Sequence, residues 1–281
     1  MNGLLLIQAA VGGVLQGGLY GLLALGLSLN WGLLRLVNLS HFALAFLGAY
    51  LTYAMGQGLG LPAGVSGLVI VPAFFAAGVA LHALFVRFRV TEFASLLVTF
   101  AITILIESLI QWVWSADYLR YPTPYAQSVL QVGPVFVPVL KLAAFLAAVA
   151  IGLVAWLALN RTLFGKGLRA AAEDGAMASA FGVNAGRTAY VLAGLCSASA
   201  GVAGVFLALI STLAPSEIEG WIGVVFAVAI IGGLANPLGA IAAGILVGLA
   251  ESLTMAVADP SWAPVVAFSI LILLLLRRRA A

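Results

Sequence analysis

A few polar constellations could do chemistry in a chain that is otherwise 64% hydrophobic and only 7% charged. The largest is residues 161–187, RTLFGKGLRAAAEDGAMASAFGVNAGR, the longest polar interval between apolar runs in the second half. It holds Arg161, Lys166, Arg169 and Arg187, with the carboxylates of Glu173 and Asp174. Its Ala-rich stretch 168–181 predicts a helix, with Gly182 as the stop and Asn184 as cap of the next element. Such a segment is either a docking helix held outside the bilayer or an interfacial amphipathic turn joining two spans.

A second constellation lies inside an apolar run. Thr99, Thr103 and Glu107 recur every fourth residue and predict one polar stripe on a helix. A carboxylate at membrane depth is costly, so Glu107 is expected to face the bundle interior. There it either serves transport or braces helices by a hydrogen bond. A third is Asn38 with His41 at a predicted helix start. No second His or Cys stands at ligand spacing, so zinc is not expected, and His41 and His82 read as satisfied structural histidines. The lone Cys196 lies in an apolar run and reads as a packing residue. The chain has no G-x-x-x-x-G-K-[ST] loop, no convincing Ser/His/Asp order and no metal cluster. No catalytic residue, metal or cofactor is expected here, and no nucleic-acid partner.

The elements that must position these groups are membrane helices. A soluble domain carries about 25% charged residues, far above this chain. No cleavable signal peptide is expected, because the start Met1-Asn2-Gly3 has no basic region. Apolar runs place spans near 4–30, 39–58, 64–86, 92–114, 138–160, 187–213, 219–235, 238–257 and 263–276. Nine spans result, or eight if Asn236-Pro237 breaks a re-entrant hairpin. The expected fold is an all-α polytopic membrane protein forming one transmembrane domain over residues 1–281. Thr91 is expected to cap the fourth helix. Residues 115–137, with Pro122, Pro124 and Pro134, read as a turn-rich outer loop.

Charge sets the expected orientation. With residues 161–187 in the cytoplasm, Arg35, Arg87, Arg89, Arg161, Lys166, Arg169, Arg187, Arg277, Arg278 and Arg279 all fall inside. Only Arg120 and Lys141 fall outside, which is the positive-inside pattern. The N-terminus is then outside and the C-terminus cytoplasmic, with Arg277–279 anchoring the last helix.

Several of these stretches carry a family resemblance. Leu168-Arg169-Ala170, Ala172-Glu173-Asp174, Ala178 and Gly182-Val183-Asn184 resemble the coupling segment of branched-chain amino acid ABC importer permeases. Asn38 and His41 before Gly48-Ala49-Tyr50 resemble a second signature of that family, although Phe42-Ala43 replaces its frequent Gly-Glu. Gly232-Gly233, Pro237, Gly239, Gly244 and Gly248 resemble its Gly-rich hairpin, with Ala235 where relatives often have Gly.

The resemblance implies an inner-membrane permease subunit in a bacterium or archaeon. Its partners would be a second permease chain, two cytoplasmic ATPase subunits that bind ATP-Mg, and an external substrate-binding protein. Arg169, Glu173, Asp174, Ala178 and Gly182 would couple to the ATPases. Asn38, His41, Thr99, Thr103, Glu107, Gly232 and Gly233 would border the path of a branched-chain or other hydrophobic amino acid. The competing expectation is a proton-coupled secondary transporter without an ATPase, using Glu107 or Glu251. A non-transporting membrane scaffold is a further one.

Overall fold

The computed structural model describes residues 3–280. Nine apolar helices stand where the runs predict them. They are α1 (Gly3–Leu34), α2 (Ser40–Leu59), α3 (Ala63–Arg87), α4 (Glu92–Trp114), α5 (Val139–Arg161), α8 (Ala185–Ile210), α9 (Glu217–Gly232), α10 (Pro237–Val257) and α11 (Ala263–Ala280). Two short helices, α6 (Leu163–Glu173) and α7 (Gly175–Ala180), lie between α5 and α8. Among the described residues seven helices have the length and apolarity to cross a membrane: α1 to α5, α8 and α10. The chain is an all-α polytopic membrane protein. The side chains of Arg277, Arg278 and Arg279, expected to anchor the last helix, lie outside the described residues.

α1 and α8 form the centre. In their most apolar stretches 67% and 72% of the residues are buried, against 22–28% in α3, α4 and α5, which therefore turn most of their surface to lipid. The central packing rests on small residues, because lipid is as apolar as leucine and close backbone approach must supply the attraction. Gly13, Gly17 and Gly21 recur every fourth residue on one face of α1. They meet Gly248, Gly244 and Ile241 of the antiparallel α10. A methyl group added at Gly13 would lie 2.6 Å from the Gly248 carbonyl oxygen, and one at Gly248 would lie 2.7 Å from the Gly17 Cα. Elsewhere Gly204 of α8 sits against Gly48 of α2, and Gly78 of α3 against Ala193 and Ser197 of α8.

The loop after α4 is not wholly irregular. Val129–Val132 and Val135–Pro138 pair as an antiparallel hairpin, β1 and β2, around Gly133 at φ +59°. Alternation of Val and Phe about a Gly-Pro turn was the signal for it. The loop is pinned in three places. Gln8 donates to the Phe136 carbonyl at 2.7 Å and accepts from its amide at 3.0 Å. Leu119 and Leu213 exchange backbone bonds at 2.7 and 2.9 Å. The Tyr121 hydroxyl donates to the Leu61 carbonyl at 3.1 Å.

Gly244→Leu is expected to separate α1 from α10. Overpacking of this kind costs about 1–3 kcal/mol or more, because both opposing surfaces are backbone. The purified variant should lose monodispersity or melt well below the parent in a detergent thermal-shift assay. A parental melting curve would show that the two helices do not need this approach.

Candidate functional site

The predicted coupling helix 168–181 is two helices. α6 ends at Glu173 and α7 begins at Gly175, with Asp174 between them in an extended conformation. The break has a local cause. The Asp174 side chain accepts the amides of Ala176 at 3.0 Å and Met177 at 2.9 Å, so it caps α7 rather than projecting as a contact. α7 stops at Ala180, and Gly182 follows at φ +84°, the left-handed conformation glycine adopts at helix ends. Asn184 caps α8 through the Arg187 amide at 2.9 Å, as expected.

Arg169 does not face Glu173. Its guanidinium turns back and donates to the Leu159 carbonyl near the end of α5. Gly165 makes that fold-back feasible, since a Cβ there would strike the α5 backbone at Ala158 and Leu159. A second tie comes from α1. Arg35, at φ +54°, donates to the Ala172 carbonyl of α6 at 3.1 Å. Ala178 is buried beneath α7, while Glu173 is exposed. The sequence did not single out the apolar residues of this segment: Leu163, Met177 and Phe181 are 87%, 58% and 83% exposed. Met177 and Phe181 stand four apart and share a face, which was the available signal.

The polar stripe of α4 has two different fates. Thr99 and Thr103 are buried. Thr99 accepts the Leu39 amide at 3.0 Å and donates to the Ser95 carbonyl at 2.7 Å, while Ser95 accepts the Val37 amide at 3.0 Å. These hydroxyls satisfy the unwound connector between α1 and α2, which lipid could not. Thr103 bonds back to the Thr99 carbonyl at 2.9 Å. Glu107 is partly buried at the margin of that packed face and accepts from Gln111 at 3.2 Å. Helical geometry explains the position: each four-residue step turns about 40°, so Glu107 is rotated about 80° from Thr99. Ile110 returns to the packed face and is fully buried.

The connector delivers Asn38 and His41 to the bundle centre. Asn38 accepts from Ser40 at 2.6 Å, and both are buried. His41 is 1% exposed against Gly26 of α1 and Ser199 of α8, and its Nε2 has no partner among the described residues. The ring of His82 packs edge-on against Tyr190 at 4.9 Å. A small polar cavity beside them is lined by Asn30, Asn38, His82 and Ser197.

Gly232 and Gly233 lie at the other break, between α9 and α10. Ser28 of α1 accepts the Ala235 amide at 3.1 Å on its carbonyl and donates to the Gly233 carbonyl at 3.1 Å. Asn236 caps α10 through the Gly239 amide at 3.1 Å, and Pro237 occupies the first turn, where its missing N–H costs nothing. Ala235 sits at φ +61°, strained for a residue with a Cβ. Among the described residues no group of three or more His, Cys, Asp or Glu could hold a metal ion.

Replacing Ala235 with Gly should relieve that strain and raise stability by about 1 kcal/mol, read as a higher melting temperature. Asp174→Ala should cost α7 about 0.5–2 kcal/mol while Asp174→Asn keeps most of the cap. Amide exchange of residues 175–180 checks this; equal protection in both variants would remove the capping role.

Residues 9–275 match the family model described as branched-chain amino acid transport system / permease component. The high-affinity branched-chain amino acid transport system permease protein LivH of Escherichia coli K12 is 25% identical, covering 96% of this chain and 92% of its own length. The permease protein BraD of Pseudomonas aeruginosa is 24% identical, over 97% and 94%. The probable LivH of Methanocaldococcus jannaschii is 36% identical over 35% of this chain and 31% of its own. No solved structure matches the chain significantly. Matched over nearly its whole length, the chain belongs to the permease-component family of branched-chain amino acid transport systems.

Proposed function

We propose that the chain is the membrane-spanning permease subunit of an ATP-driven importer for branched-chain or other hydrophobic amino acids. The observation that carries the reading is the α6–α7 segment: a polar, ordered excursion, strapped to two membrane helices and presenting exposed apolar residues. Arg169 fastens it to α5 and Arg35 fastens it to the exit of α1. Met177 and Phe181 offer an apolar face too small to belong to the bilayer core and well suited to a groove on an ATPase. Glu173 adds the exposed carboxylate beside it, and Ala178 and Gly182 keep the segment slim and ended.

Mechanism follows from those straps. A push on α7 reaches α6, then the Ala172 carbonyl, then Arg35, and so the unwound connector that carries Asn38 and His41. Both backbone breaks, at residues 35–39 and 233–236, are bracketed by α1, so a shift of that helix moves both. Broken helices of this kind suit alternating access around a central path. Thr99 and Thr103 shape that path by holding the connector in place. Glu107 borders it at the margin of α4.

The partners of this reading are a second permease chain, two ATPase subunits that carry ATP-Mg, and an external substrate-binding protein meeting the pinned outer loop. The residence is the cytoplasmic membrane, with the N-terminus outside and the C-terminus inside, as the positive charges favour. The test is reconstitution with candidate ATPase and substrate-binding proteins from the same genome. Solute-stimulated ATP hydrolysis and uptake are expected. Met177→Ala with Phe181→Ala should cut ATPase retention at least tenfold; Arg35→Ala should retain the ATPase and its basal hydrolysis but lose most solute stimulation. Proton-driven uptake by the chain alone would overturn the reading.

A further inference from the structure

A cavity of about 300 Å³ opens between α1, α9, α10 and the start of α11, on the side of the bundle that carries the outer loop. Its chemistry differs from the rest of the apolar interior. Glu251 of α10 lines it and is only 6% exposed, and Tyr20 of α1 lines it beside that carboxylate. Side chains lean toward the N-terminus of their own helix, and α1 and α10 are antiparallel, so these two lean toward each other. Trp221 of α9 completes the wall. Its ring meets Tyr20 edge-on at 5.3 Å and is backed by buried Phe46 at 6.3 Å. Glu217 stands at the mouth, Val224 and Met255 supply apolar surface, and no Lys or Arg lines the cavity.

A carboxylate buried at this depth with only a phenol for company is an expensive placement. A cation entering the cavity offsets that cost. Two electron-rich rings beside it favour an organic ammonium, which they hold through their faces at about 6 Å or less. A divalent metal is a poorer match, since among the described residues no set of three or more potential ligands gathers anywhere. The volume suits a body of a few carbons, and Val224 and Met255 give that body an apolar floor.

We propose that this cavity binds the primary ammonium group of a small amphiphilic solute, with Glu251 as its counter-ion, Tyr20 orienting that carboxylate and Trp221 covering the charge. The site deepens the permease reading by naming the charged group of the solute that is recognised on the outer side. It requires a positive nitrogen joined to a short branched or linear hydrocarbon.

The purified full-length chain in lipid nanodiscs is titrated by calorimetry with three probes of one skeleton: 3-methylbutylamine, L-leucine and 4-methylpentanoate. The two amine-bearing probes should bind, and the carboxylate that lacks nitrogen should bind at least tenfold more weakly. Glu251→Gln, which keeps the shape and removes the charge, should weaken both amine-bearing probes at least tenfold, and Trp221→Leu should weaken them several-fold. Asp117→Asn, exposed on the outer loop and outside the cavity, should leave them unchanged. Equal binding of 4-methylpentanoate, absence of amine binding to the parent chain, or parental affinity in Glu251→Gln would each overturn the proposal. The three probes on the parent chain decide the matter even if a variant fails to fold. Retention of the ATPase by the parent and Glu251→Gln chains, measured on the same preparations, reports separately on the permease reading.

Discussion

The backbone contact between α1 and α10 is the constraint from which the rest follows. Gly13, Gly17 and Gly21 bring α1 against Gly244 and Gly248 so closely that neither surface has room for a methyl group. In lipid no hydrophobic effect drives two helices together, so the attraction must come from packing that only small residues allow. Once α10 is fixed, the short α9 is fixed with it, because the turn between them is bonded to Ser28 of the same α1. α1 thereby acts as the spine of the bundle, and the remaining helices are arranged by their distance from it.

The same helix also reaches outside the bundle. Beyond Leu34 the chain leaves the helix through Arg35, whose side chain grips α6, and then runs unwound to α2. That unwound stretch is tolerable only because Ser95 and Thr99 of α4 take its amides. One helix therefore holds the broken hairpin at one point, the α6–α7 segment at another and the entry to the polar centre at a third. A transporter that must move these parts together has them on one rod.

Much of this was legible in the residues. The apolar runs placed all nine helices, since length and hydropathy alone fix a helix in lipid. Thr91, Asn184 and Gly182 marked helix ends correctly, because capping is local chemistry. What failed was tertiary. Asp174 was read as a contact because its charge was visible and its bonds to Ala176 and Met177 were not. Arg169 found the Leu159 carbonyl, a partner no helical spacing predicts. Glu107 lies at the margin of the packed face rather than its middle because a four-residue period spirals around the helix. The short hairpin at Val129–Val132 and Val135–Pro138 was passed over because prolines dominate the loop around it.

The turn between α9 and α10 carries one more consequence, for the lipid itself. α9 has 16 residues, about 24 Å of helix, against a hydrocarbon layer of about 30 Å. Its final turn is level with Ser28, six residues and about 9 Å short of the end of α1. α1 itself runs about 48 Å, so the Gly233 to Asn236 turn lies near the edge of that layer, beside Asn160 and Arg169. A helix about 6 Å shorter than the layer favours local thinning on its own flank. The protein thus imposes an asymmetric mismatch on its bilayer, and the energy of its resting shape depends on acyl-chain length.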